Sequence, residues 1–324
     1  MSVSNCPVSS CASVHVVVRD FWHVTCGMYS MSPKSVIACV LFLTGAYAQE
    51  NPVTTFRTES NLVSLNVSVF DKDGHVVKGL PKSAFTVFED DRPQQVTVFR
   101  QEDVPIALSL VIDSSASMAD KRERVNSAAL AMVRASNPQD EVMVITFNDD
   151  ASVAQTFTSD IKQLERSLRK VDLRGETAMR DALVLGIDKL RSNTKEDKKV
   201  LLVVTDGEDN SSVVTQEHLI RVAHLTNAII YAIGILGPET ASTTRAKASM
   251  EALTLATGGR SWFPADAAET EKITPEIAHE IRNQYVIGYT PAETKGAGFR
   301  KVRVEVNQPD LRVVTRDGYY ARGQ

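Results

Sequence analysis

Four apolar segments, each followed by a stretch with helical periodicity, constrain this chain more than any other feature. They are Ile106–Ile112, Val142–Phe147, Val200–Val204 and Ala228–Ile235. A strand with one wet face alternates apolar and polar residues, whereas a strand that is apolar throughout must be covered on both faces. The intervening segments supply the cover. Val125, Ala129, Met132 and Val133 share one helix face before Asn137-Pro138 stops the helix. Ile161, Leu164, Leu168 and Val171 mark a second helix, with Ser159 as its expected cap. Further helices are expected over Ala178–Leu190, after Thr215, from about Thr243 to Gly258-Gly259, and over Ile273–Ile281. The alternation predicts an α/β fold: a doubly wound, mostly parallel sheet with helices on both faces.

The texture differs on either side. Val63, Leu65, Val67 and Val69 alternate as in a half-buried strand, and Asp71-Lys72-Asp73-Gly74 reads as a turn. Phe85–Phe88 and Val96–Phe99 follow as strands, joined through Asp90-Asp91-Arg92-Pro93. After Gln284, strands are expected at Tyr285–Tyr289, Lys301–Val306 and Leu311–Val314. The two β-rich flanks, residues 49–103 and 284–324, are expected to fold into one small antiparallel sandwich-like module around the α/β domain at residues 104–283. Inserted domains commonly have neighbouring termini, which permits this arrangement.

The first 48 residues read as an export signal. Lys34, the apolar run Val36–Leu43 and Ala46-Tyr47-Ala48 supply positive residue, apolar core and cleavage site in order. Residues 1–30 are unusual for such a signal, and translation starting at Met28 or Met31 would give one of ordinary length. All four cysteines (Cys6, Cys11, Cys26 and Cys39) precede the expected cleavage, so no disulfide framework is expected in the mature chain. A hydrophobic content of 43% allows a packed core without such staples. A formal net charge of only -4 argues against a dedicated nucleic-acid binder, which carries a basic stripe. The expected location is periplasmic or extracellular.

Chemistry concentrates at the ends of the buried strands, where open α/β sheets bind ligands. Asp113-Ser114-Ser115-Ala116-Ser117 follows the first apolar strand, Thr205-Asp206-Gly207 follows another, and Gly175-Glu176-Thr177 opens a helix between them. Together these loops offer carboxylate and hydroxyl oxygens, which suit Mg²⁺, Mn²⁺ or Ca²⁺ better than zinc or copper. The pattern Asp-x-Ser-x-Ser, a distant Thr and a later Thr-Asp-Gly resembles the metal-ion-dependent adhesion site (MIDAS) of the von Willebrand factor type A family, over about Val104 to Asn283. The flanking β segments resemble the exported bacterial subgroup of VWFA-related Acidobacterial domains. The resemblance implies metal ligation by Asp113, Ser115, Ser117, Thr177 and Asp206. It also implies a protein partner whose Glu or Asp completes the coordination. Many relatives have Gly-Gly-Thr where this chain has Gly175-Glu176-Thr177, so Glu176 adds a negative charge near the site.

The leading expectation is therefore a metal-dependent protein-binding module, not an enzyme. A metal-assisted hydrolase using the same ion is the alternative. It would need a general base, for which Glu176, Glu208 and Asp209 are the nearby candidates. A structural scaffold with an idle ion is a third reading. His218 and His224 are six apart and so do not share a helix face as a metal pair would. Neither a Gly-x-Ser-x-Gly elbow nor a P-loop is present.

Overall fold

Strand β5 (Ile106–Asp113) is buried at every position, and its side chains divide between two cores. Leu108, Leu110 and Ile112 face one core, while Ala107 and Val111 face the other. That division follows from the two-residue period of a strand. The computed structural model describes residues 62–101, 103–169, 173–207, 209–292 and 296–321. The expected export signal and Val171 lie outside these described residues.

β5 is central in a six-stranded sheet of order β10-β9-β8-β5-β6-β7. Its neighbours are β6 (Glu141–Phe147) and β8 (Lys198–Thr205), and β8 pairs with β9 (Ala228–Gly234). These pairings and that of the short β10 (Ser261–Trp262) are parallel. The edge strand β7 (Ala151–Thr158) runs antiparallel to β6. It was not expected from sequence: its burial alternates, but Gln155 interrupts the half-buried apolar row of Ala151, Val153 and Phe157.

Helices α1 (Arg122–Arg134), α2 (Ile161–Arg169) and α6 (Ala267–Arg282) pack on one face of the sheet. Helices α3 (Met179–Asn193), α4 (Gln216–Thr226) and α5 (Ala241–Thr257) pack on the other. The fold is thus the doubly wound α/β arrangement that the apolar segments predict. One local detail differs. Asp160, not Ser159, accepts from the first backbone N–H groups of α2, those of Lys162 and Gln163. Asp160 stands immediately before the first helical residue, where its short carboxylate can reach them.

The flanking strands form two further four-stranded sheets, β13-β1-β11-β4 and β14-β12-β2-β3. Here β1 is Val63–Phe70, β2 Phe85–Glu89, β3 Arg92–Gln94, β4 Val96–Arg100, β11 Tyr285–Tyr289, β12 Gly298–Val306, β13 Arg312–Val314 and β14 Gly318–Ala321. β1 pairs antiparallel with both β11 and β13, so strands from opposite ends of the described chain interleave. Leu65, Val67, Val87, Tyr285, Ile287 and Val304 lie in one shared core between the sheets. The hairpin β2–β3 turns at Asp90-Asp91, both at positive φ (47° and 63°), as a type I′ two-residue turn requires. The sequence had placed a longer turn here, and β3 occupies part of it. Arg316, 8% exposed, donates to Asn227 at the end of α4 and to the Ser64 carbonyl, tying β-module to α/β body. Among the described residues, no helix is long and apolar enough to cross a membrane.

Candidate metal centre

The register of the central strands sets the site. Ile112 lies beside Val204 in the β5–β8 pairing, so the next residues, Asp113 and Thr205, emerge together at the carboxyl ends of their strands. Asp113 is 1% exposed. Its Oδ2 accepts from the Thr205 hydroxyl at 2.6 Å and its Oδ1 from the Ser115 backbone N–H at 2.9 Å. Burial pushes the Asp113 carboxyl above its usual range. Hydrogen bonds from Ser115 and Thr205 oppose that shift, and the neighbouring Asp206 charge adds to it.

The turn after Asp113 is held by Ser114, whose backbone N–H and hydroxyl both donate to the Phe147 carbonyl at 2.7 Å. This sets the backbone that presents Ser115 and Ser117. Their hydroxyl oxygens are 3.1 Å apart, with Ser115 buried and Ser117 exposed. For comparison, adjacent ligands of an octahedral Mg²⁺ with bonds of about 2.1 Å lie about 3 Å apart.

Thr177 is placed from two directions. The loop before it is stitched to the first by Arg174 N–H to the Ser114 carbonyl and Ala116 N–H to the Gly175 carbonyl. Thr177 itself is clamped to the loop after β8. Its N–H donates to Asn210 Oδ1 at 2.9 Å, and its carbonyl accepts from Asn210 N–H and Ser211 N–H. Gly175 has φ +75°, and a Cβ there would meet the Asp149 carboxylate, so the loop favours glycine. Asp206 stands half-buried directly after β8, where Lys121 donates to its Oδ2 at 2.7 Å.

The structure thus brings the loops carrying Asp113, Ser115, Ser117, Thr177 and Asp206 into one bonded assembly. All the donors are hard oxygens, a set that fits a Mg²⁺-class ion. Four supporting residues were not foreseen as such: Thr205, Asn210, Lys121 and Asp149. Thr205 belongs to the quoted Thr-Asp-Gly, but its bond to Asp113 spans 92 residues and has no local signal. Glu176, which adds negative charge near the site, has its carboxylate held by Asn210 Nδ2 at 2.5 Å. Asp209 is saturated by Arg180 and Ser212. Glu208 lies outside the described residues.

Away from the centre, Asp71, Asp73 and His75 bring ligand atoms within 4.8 Å of one another at an exposed turn. Asp71 Oδ1 accepts from the N–H groups of Asp73 and His75, and the His75 N–H bond is the main cause holding the Asp71 carboxyl below its usual range. Turn formation accounts for this cluster.

Residues 108–208 match the von Willebrand factor type A domain. The matched stretch runs from β5 to the loop after β8 and contains all the candidate ligands. Among solved structures, the chain is similar to a von Willebrand factor type A protein from Catenulispora acidiphila. That match has 14% identity and a TM-score of 0.47, covering 82% of this chain and 65% of that one. It is similar also to proximal thread matrix protein 1 from the mussel byssus, in a structure with a zinc-occupied MIDAS motif. There the identity is 17% and the TM-score 0.49, covering 60% of this chain and 49% of that one. A third similar structure is the PilB minor pilin from Streptococcus sanguinis, with 14% identity and a TM-score of 0.45, covering 57% of this chain and 63% of that one. The chain therefore spans less than two thirds of each of these three proteins.

Proposed function

We propose that the type A domain binds one divalent cation through Asp113, Ser115, Ser117, Thr177 and Asp206. Mg²⁺ is the favoured ion, with Mn²⁺ or Ca²⁺ as substitutes, and the site uses it to hold a protein partner through a Glu or Asp of that partner. The observation that carries this reading is the 3.1 Å separation of the Ser115 and Ser117 hydroxyls beside Asp113. When bound, such an ion supplies an electrophilic position open to a carboxylate. The chain's own part is to hold the oxygens in place: Thr205 aligns Asp113, Ser114 shapes the serine turn, and Asn210 anchors Thr177.

A hydrolase would need a free base beside the ion. The two described candidates, Glu176 and Asp209, are engaged by Asn210 and Arg180 respectively, which favours the binding reading. The proposed organisation is a type A domain over residues 104–283 within a β-module, exported after loss of residues 1–48. Gln49 at the amino terminus of protein recovered from its host would support that processing.

Calorimetry with Mn²⁺ tests the centre. One site should appear in the full chain and vanish in Asp113→Ala, and equal binding by both would refute the proposal. Partner capture should fail in chelator and in Thr177→Ala. Truncating one member of a desolvated charge pair costs about 2–5 kcal/mol, a loss of roughly thirtyfold to several thousandfold. A partner held equally well under both treatments would place recognition elsewhere.

A further inference from the structure

One cationic side chain stands inside the proposed centre although the five-residue oxygen pattern has no place for it. Lys121 ends the 3-10 turn Ala116–Lys121 that follows the Asp113 loop. From there its Nζ reaches Asp206 Oδ2 at 2.7 Å, with the two side chains only 18% and 9% exposed. Most surface lysines are solvated and screened, and their ion pairs contribute little. This pair is largely withdrawn from water, so its charges act on one another and on anything placed beside Asp206 with less screening.

We propose that Lys121 is a specificity-determining residue of the metal centre, a fixed ammonium that shares Asp206 with the incoming divalent ion. The inference rests on the metal-binding reading above and concerns how that site is tuned. Two carboxylates, Asp113 and Asp206, would by themselves neutralise a divalent ion. Counting the ion, its two ligating carboxylates and the Lys121 ammonium, the loaded centre keeps one net positive charge, which the Glu176 carboxylate held by Asn210 offsets only from outside the ligand set. The ion is then held less tightly, and the centre attracts an anionic ligand more strongly than a neutral one would. Lys121 thereby favours a carboxylate-bearing partner over water, at the cost of metal affinity.

The plainer role for the same contact is mechanical, with Lys121 pinning its turn to the Asp206 loop. The two roles predict opposite effects on metal binding. A mechanical tether, once cut, frees Asp206 and weakens the site. A competing charge, once removed, strengthens it.

The test is Mn²⁺ calorimetry on the full chain as wild type, Lys121→Met, Lys121→Gln and Lys121→Arg, with Asp113→Ala as reference. Met and Gln keep much of the side chain's length without its charge, and Arg keeps the charge. Thermal melting in chelator identifies which variants are folded, and either neutral variant suffices. The expected result is Mn²⁺ affinity higher by about tenfold to a hundredfold in the neutral variants, the scale of one partly screened unit charge within several ångströms. Lys121→Arg should stay near wild type. Equal or weaker binding by a folded neutral variant, while wild type binds and Asp113→Ala does not, overturns the role of Lys121 and leaves the metal centre standing. Absence of Mn²⁺ binding in wild type and neutral variants alike overturns both.

Discussion

Thr205 donates its hydroxyl hydrogen to Asp113 Oδ2 across 2.6 Å, and the two residues are 0% and 1% exposed. The same Thr205 oxygen accepts from Gly207 N–H, so one hydroxyl orients both the aspartate and the turn that carries Asp206. Thr205→Val keeps the shape and deletes these bonds. Leaving a buried acceptor unpaired costs about 1–3 kcal/mol. The variant should unfold at lower urea with an unchanged slope, and a midpoint equal to wild type would contradict the role given to Thr205.

Gly175 makes a second prediction. Alanine there meets the Asp149 carboxylate and must adopt φ near +75°. Strain at such a position is on the order of 1–3 kcal/mol, and it is relieved by moving the loop that precedes Thr177. Gly175→Ala should therefore weaken Mn²⁺ binding by about tenfold or more while leaving the sheet intact. Adding Asp149→Ala should recover only part of the loss, because it removes the collision but not the backbone strain. Full affinity in the single variant would show that the loop is not constrained as described.

A third concerns pH and lies far from the candidate metal centre. Lys198 begins β8 with its ammonium buried and donating to the Ile281 carbonyl. Its pKa is lowered to about 7, first by burial and then by the Arg282 charge, against the opposing charges of Asp103, Glu280 and Asp140. Between about 7 and the usual 10.5, the unfolded chain therefore holds a proton that the folded chain has lost. Stability contributed by this group rises with pH across that window, by up to about 1.4 kcal/mol per unit. Denaturant titrations from pH 7 to about pH 10 should show a steeper rise for wild type than for Lys198→Met. Parallel curves would mean that Lys198 titrates normally.

How much of this was legible beforehand differs from residue to residue. The buried strands were readable because a strand covered on both faces must be apolar along its length, and Ile106–Ile112 and Val200–Val204 satisfy that locally. Their carboxyl ends then located the loops of Asp113 and Asp206. Strand β7 was not readable although its burial alternates, because Gln155 interrupts the inward row of Ala151, Val153 and Phe157.

By itself, then, the sequence determined which segments are buried, where the chain turns and which oxygen-bearing residues stand at strand ends, because each depends on neighbours within a few positions. Tertiary structure alone decided which distant side chains meet. The Thr205–Asp113 bond spans 92 residues and the Lys121–Asp206 pair 85. The placement of β1 between β11 and β13 is likewise non-local. Periodicity records which face of an element is covered but not what covers it. These partners follow only from sheet order, register and the packing of the assembled core.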